Sequence, residues 1–167
     1  MIVVVMGVSG SGKTTVGRLL AQRLGWAYYE GDEFHSAENI EKMSKGISLD
    51  DGDRGPWLAS LKEAIDKCAD SGTGAVIACS ALRRTYRQTL GAGVVDIRFV
   101  YLKGDFETIV ERMKFRSSHY MKADMLESQF SSLEEPDEAI EIDIRNSPQD
   151  IVARIESQLT TAEKSRE

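Results

Sequence analysis

The sequence predicts an α/β fold: a parallel five-stranded sheet with helices on both faces. Three observations carry that prediction. Short β-branched runs alternate along the chain with helix-length amphipathic segments, the pattern of βα units folding onto a parallel sheet. The first run is apolar throughout, as suits a central strand covered on both faces. The last run alternates isoleucine with acidic residues, as a half-exposed edge strand should.

Taken in order, strands are expected at Ile2–Met6, Ala27–Glu30, Ala75–Cys79, Ile97–Leu102 and Ala139–Ile144. Helices are expected at Thr14–Leu24, Pro56–Asp70, Thr85–Leu90, Phe106–Arg116 and Gln149–Leu159. Pro56 suits a first helical turn, and Trp57, Leu61 and Ile65 then define the buried face of that helix. Two stretches break the alternation. Residues 31–55 are polar, with a helix starting near Ser36 as N-cap and Asn39 three residues on; the stretch 31–58 reads as a substrate-binding segment. Residues 116–136 are rich in charge and methionine and read as a lid, because long inserts in compact domains are usually functional. Residues 1–159 are expected to form one domain, with 160–167 a polar tail.

Composition narrows the function. The chain has 167 residues, 41% apolar and 29% charged, enough for a core without metal or disulfide support. A net charge of −6 argues against a general nucleic-acid binder. No run approaches the roughly 20 apolar residues of a membrane span. The apolar start lacks a basic leader and reads as a core strand, not a signal peptide. Cys68 and Cys79 are too few for a disulfide framework, and Cys79 sits in an apolar run, so buried thiols in a reducing, cytoplasmic setting are expected.

Gly7-Val8-Ser9-Gly10-Ser11-Gly12-Lys13-Thr14 matches G-x-x-x-x-G-K-[ST] at every fixed position, between a strand and a helix as the motif requires. Its glycines let successive N–H groups point at phosphate oxygens, and the helix start adds partial positive charge. Lys13 is expected at the β/γ-phosphates, the Thr14 hydroxyl on Mg²⁺, and Thr15 in the same nucleotide-binding turn. No Asn-Lys-x-Asp guanine reader is present, and the third strand ends Ala78-Cys79-Ser80 rather than in acidic residues. GTPases and motor-type ATPases are therefore disfavoured. The carboxylate near Mg²⁺ must come from elsewhere, and Asp32 is the natural candidate.

Ligands of open parallel sheets gather beyond the carboxyl ends of the strands, where Asp32 stands. A carboxylate there could take the acceptor's hydroxyl proton; the plain alternative is a solvated turn aspartate. His35, a lone histidine after an aromatic, is a weaker substrate-binding candidate. The aspartates at 50, 51 and 53 could simply charge a helix start, with Arg54 beside them free to grip a carboxylate or phosphate. Arg83 and Arg87 lie four apart on one helix face and could converge on an anion; Arg112 and Arg116 repeat that spacing at the entrance to the lid. Any one of these arginines could instead be a solvated surface residue.

Several blocks resemble the bacterial-type gluconate kinase (gluconokinase) family. They are Gly7–Lys13, Gly31-Asp32-x-Phe34-His35, Asn39-Ile40-x-Lys42-Met43-x-x-Gly46, Leu49-x-Asp51-x-Asp53-Arg54-x-Pro56-Trp57-Leu58, Cys79–Arg84 with Tyr86-Arg87, and the lid stretch His119–Phe130. The resemblance runs from Ile2 to about Leu159. It implies an adenylate-kinase-like fold, transfer of phosphate from ATP with Mg²⁺ to the 6-hydroxyl of gluconate, and a homodimer. By the same resemblance Lys13, Asp32 and Arg116 are catalytic, Asp32 serving as the acceptor-side acid. Asp32, His35, Arg54, Arg83 and Arg87 would bind substrate, and Arg112 and Arg116 the nucleotide. Gly91 and Gly55 depart from the family, which usually has a basic residue and a larger side chain there. The rival readings are a P-loop kinase of another acceptor (shikimate, a nucleoside monophosphate or adenylyl sulfate) and a non-catalytic ATP-sensing module. Shikimate kinases carry an Asp-x-Asp pair after the second strand, where this chain is read as Asp32-Glu33-Phe34.

Overall fold

The computed structural model describes residues 1–114 and 123–164. Its sheet has five strands, β1 (Ile2–Met6), β2 (Ala27–Glu30), β3 (Ala75–Ala78), β4 (Ile97–Lys103) and β5 (Ile140–Asp143), in the order β2-β3-β1-β4-β5. Every pairing is parallel; Val4, for example, lies opposite Ile77 on one side and Phe99 on the other. β1 is central and every one of its side chains is buried. Because strand side chains alternate between faces, β1 feeds two cores. Val3 and Val5 pack with Val16, Leu20, Ile109 and Ile151 on one face. Ile2, Val4 and Met6 pack with Trp57, Leu61, Ile65 and Leu90 on the other. The first face is covered by α1 (Lys13–Leu24), α5 (Phe106–Lys114), α6 (Ala123–Ser132) and α7 (Pro148–Lys164), the second by α3 (Asp51–Ser71) and α4 (Arg84–Gly91). β5 is an edge strand, with Glu141 exposed and Ile142 buried, as the alternating pattern predicts. Cys68 and Cys79 are both free and buried. Among the described residues no helix is long and apolar enough to cross a membrane.

The segment between β2 and α3 holds a 3-10 turn (Gly31–Phe34) and a short helix, α2 (Ala37–Ser44). Ser36 caps α2, its hydroxyl accepting from the Asn39 N–H at 3.2 Å. α3 starts earlier than the sequence predicts. Asp50 and Asp53 form a reciprocal capping box that begins the helix at Asp51, so Pro56 falls in its second turn and not its first. Proline disfavours a helical residue before it through clashes with that residue's N–H and Cβ; Gly55, which has no Cβ, is the residue in that place. Gly91 packs near Ile97 and Phe99 of β4. Ile97 opens that strand, so the second departure from the family lies toward the sheet end opposite the phosphate loop.

Within the segment expected as a lid, 116–136, the helix α6 packs on the core. Leu126 of α6 is 1% exposed within the main core, and Phe130 meets Phe106 edge-on at 5.6 Å. Apolar side chains so buried make α6 part of the packed structure. The first half of the expected lid, including Arg116, lies outside the described residues.

Candidate active site

The chain leaves β1 at Met6, turns through the glycine loop and enters α1 at Lys13. Gly7, Gly10 and Gly12 have φ of 144°, 81° and 102°, values open to glycine and costly for other residues. Ser11 N–H and Lys13 Nζ both donate to the Val8 carbonyl, at 3.2 and 3.1 Å. Burial pushes the Lys13 ammonium below its ordinary pKa, and the charge of Asp32, with that of Glu30, opposes the shift. Two carboxylates therefore act on the lysine from the end of β2. Beneath them, burial raises the Cys79 thiol to about 12, so it is a neutral floor at physiological pH. Thr15 is exposed on the first turn of α1.

Glu30 is a site residue that the sequence reading missed. Its Oε2 accepts from the Thr14 hydroxyl at 2.9 Å and from the Tyr28 hydroxyl at 2.7 Å. Burial, and then the Glu30 hydrogen bond, raise the Tyr28 phenol above its ordinary value, so Tyr28 stays a donor. The signal was present as the acid-x-acid triplet Glu30-Gly31-Asp32. Reading the acid pair from Asp32 onward shifted the register by two. The carboxylate joined to Thr14 is Glu30, where the sequence reading offered Asp32 as the carboxylate near Mg²⁺.

Asp32 is exposed on the 3-10 turn after β2. A Cβ at Gly31 would stand 2.6 Å from the Ala78 carbonyl oxygen, so only glycine lets this turn lie against β3. The Gly31 carbonyl in turn accepts from the buried Trp57 Nε1 at 2.8 Å. These two contacts set Asp32 beside the lysine. His35 stacks on Trp57 with centroids 4.6 Å apart and planes 10° apart. Its Nδ1 faces the Asn39 amide nitrogen at 3.4 Å; that nitrogen also donates to the Asp53 carbonyl at 2.8 Å. An amide nitrogen can only donate, so Nδ1 accepts and the ring proton resides on Nε2. Burial lowers the His35 pKa, opposed by Asp32 and reinforced by Arg54.

The three aspartates divide their work. Asp50 and Asp53 cap α3, and Asp53 also pairs with Lys42 at 2.6 Å. Asp51 faces outward to Arg83, whose Nη1 reaches both carboxylate oxygens at 3.0 and 3.1 Å. Tyr86 donates to Asp51 at 2.6 Å and stands 3.5 Å from Arg54 Nη1. The Tyr86 hydrogen bond, and then the Arg83 charge, hold the Asp51 carboxyl below its ordinary pKa. Arg54, Arg83, Tyr86 and Asp51 thus form one polar wall from α3 to α4.

Two predicted ligands are occupied elsewhere. Arg87 is 8% exposed, and its Nη1 donates to the carbonyls of Ala81 and Leu82 at 2.9 and 3.0 Å. Ala81 is the one non-glycine residue with positive φ among the described residues, at 43°, and Arg87 clamps that strained loop rather than facing solvent with Arg83. The expected shared helix face does not form: Arg83 is the extended residue before α4, whereas Arg87 lies within it and is buried. Arg112 donates to the Ile144 carbonyl after β5 and not toward the glycine loop. A cavity of about 440 Å³ lies between Lys103, Glu135 and Arg145. It holds none of the predicted residues, and its Lys103 is already paired with Glu135 and Glu141.

Comparison with known proteins bears on this arrangement. A family model described as shikimate kinase matches residues 9–160. The chain is 45% identical over 135 residues to the thermoresistant gluconokinase of Escherichia coli (strain K12), covering 81% of this chain and 77% of that one. It is 42% identical over 177 residues to a probable gluconokinase of Xenopus tropicalis, covering 95% and 93%. The crystal structure of a gluconokinase from Sinorhizobium meliloti 1021 matches with a TM-score of 0.89 at 39% identity, over 98% of this chain and 93% of that one. By fold, by phosphate loop and by identity across most of its length, the chain belongs to the gluconokinase family of shikimate-kinase-type P-loop kinases.

Proposed function

We propose that this protein transfers the γ-phosphoryl group of ATP to the 6-hydroxyl of D-gluconate, giving 6-phosphogluconate and ADP. The observation that carries the proposal is the convergence of Lys13 and Asp32 at the carboxyl edge of the sheet, with the Arg54–Tyr86–Asp51–Arg83 wall alongside. The gluconokinase names of the relatives point to the sugar acid. Backbone N–H groups of Gly10–Thr15 cradle the phosphates, and Lys13 meets the charge that develops on the transferring group. Asp32 takes the proton as the O6–H bond breaks and the O6–P bond forms, while the bond from phosphorus to the β-phosphate oxygen breaks to release ADP. His35 Nε2–H donates to a gluconate hydroxyl, and Arg54 and Arg83 receive the carboxylate.

The donors at the loop suit Mg²⁺. Thr14 and Glu30 present hard oxygen atoms side by side, and Mg²⁺ usually takes one or two protein oxygens plus phosphates and water. Phosphate oxygens and water would complete the shell around these two. When bound, Mg²⁺ neutralises charge on the β- and γ-phosphate oxygens. A cytoplasmic site of action belongs to the same reading, since two free buried thiols suit a reducing compartment.

A coupled assay of ADP release with gluconate, shikimate, AMP and adenylyl sulfate as separate acceptors tests the proposal. Release should depend on gluconate. Release driven by shikimate alone, or by no acceptor at all, would overturn it.

A further inference from the structure

One hydrogen bond ties the phosphate loop to α6 across 120 residues of chain: Ser9 N–H donates to Gln129 Oε1 at 2.6 Å. Its sense is fixed, because a backbone N–H can only donate and the side-chain oxygen must face it. The Val8–Ser9 peptide is thereby held at both ends. Its oxygen receives Lys13 Nζ and Ser11 N–H, and its N–H is held by Gln129. No peptide among the described residues is cis, and in a trans peptide the C=O and N–H point to opposite sides. Ser9 N–H therefore faces away from Lys13, and Gln129 does not compete with phosphate for the lysine's side of the loop.

The support behind Gln129 is firm. Leu126 and Phe130 anchor α6 in the core and on Phe106. A Cβ built at Gly10 would stand 3.0 Å from Met113 Cγ, so α5 also abuts the loop. Within the loop Val8 is buried in the core and Gly7 N–H donates to the Ser80 carbonyl at 3.3 Å, while the permissive Gly7 and Gly10 flank Val8 and Ser9.

We propose that Gln129 is a positioning residue for the nucleotide phosphates, fixing the Val8–Ser9 peptide so that its oxygen holds Lys13 in register with the loop. The proposal rests on the loop binding nucleotide, but not on gluconate being the acceptor. Its test therefore reads nucleotide binding and one backbone amide. In wild-type protein, hydrogen exchange followed by NMR should show the Ser9 amide protected without nucleotide and equally protected with ADP. Gln129→Met keeps the length and removes the acceptor. It should release that protection, lower Tm slightly and weaken ADP binding about tenfold by calorimetry, because a loop residue freed in the unliganded protein must then be ordered on binding, at a cost of about that factor, with the gluconate KM little changed. Gln129→Glu restores an acceptor and should restore Ser9 protection. An unprotected Ser9 amide in the wild type, protection that appears only with ADP, or wild-type ADP affinity in Gln129→Met would each overturn the proposal. Failure of gluconate turnover with these binding results intact would instead count against the choice of acceptor.

Discussion

Glu30→Gln separates the two carboxylates at the end of β2. The substitution keeps size and a carbonyl oxygen, so Thr14 and Tyr28, now at 2.9 and 2.7 Å from Oε2, retain an acceptor. What is lost is the negative charge. Charge-assisted hydrogen bonds are about twice as strong as neutral ones, but Thr14 is exposed and Glu30 only half-buried. The stability loss should stay near or below about 1 kcal/mol. The catalytic loss should be larger, because outer groups that orient a metal's ligands typically contribute about 10–100-fold in metal affinity or activity. The assay is initial rate against free Mg²⁺ at saturating ATP and gluconate. The half-saturating Mg²⁺ concentration should rise by about tenfold to a hundredfold, and excess Mg²⁺ should recover much of the rate. Unchanged Mg²⁺ dependence together with an unchanged kcat would refute the pairing of Glu30 with Thr14 as the metal-side group.

Asp32→Asn should behave in the opposite way, losing about 10²–10⁴-fold in kcat while its Mg²⁺ dependence stays put; a variant altered only in its gluconate KM would make Asp32 a positioning residue. Acid stability tests His35, whose folded pKa lies below its ordinary 6.5. The unfolded chain takes up this proton first as pH falls, so the contribution is complete above about pH 6.5 and is lost from there down through the folded pKa. Thermal melts between pH 8 and pH 5 should show a shallower fall for His35→Phe than for the wild type, and identical slopes would contradict the buried neutral ring. Arg87→Met should lower stability by about 1–3 kcal/mol, since it leaves the Ala81 and Leu82 carbonyls without their donor. If denaturant midpoints do not move while the gluconate KM rises tenfold or more, Arg87 is a substrate ligand after all.

Much of the fold was legible because it is written in local patterns. The uniform apolarity of Ile2–Met6 marks the central strand, and the alternation at Ile140, Ile142 and Ile144 marks the edge. The loop Gly7–Thr14 identifies itself, since phosphate binding by backbone N–H groups demands those glycines and that lysine in consecutive order. Asp32 and the block around Arg54 could be named because their spacing is local too.

Burial and long-range pairing decided the rest, and neither is a property of spacing. Arg83 and Arg87 stand four apart in sequence, yet Arg83 precedes α4 in extended backbone, half-exposed against Asp51, and Arg87 is sealed over two carbonyls of a strained loop. The methionine-rich stretch reads as a lid from its composition and length as an insert; that Leu126 packs into a core made by other elements is not visible there. Glu30 becomes a partner of Thr14 only once β2 has crossed to the far side of β3. Gln129 meets Ser9 only because the sheet order brings α5 and α6 onto the face beneath the phosphate loop. Sequence determines which chemistry is available within a few residues of itself. The free energy of closing one shared core determines which distant groups are brought into contact.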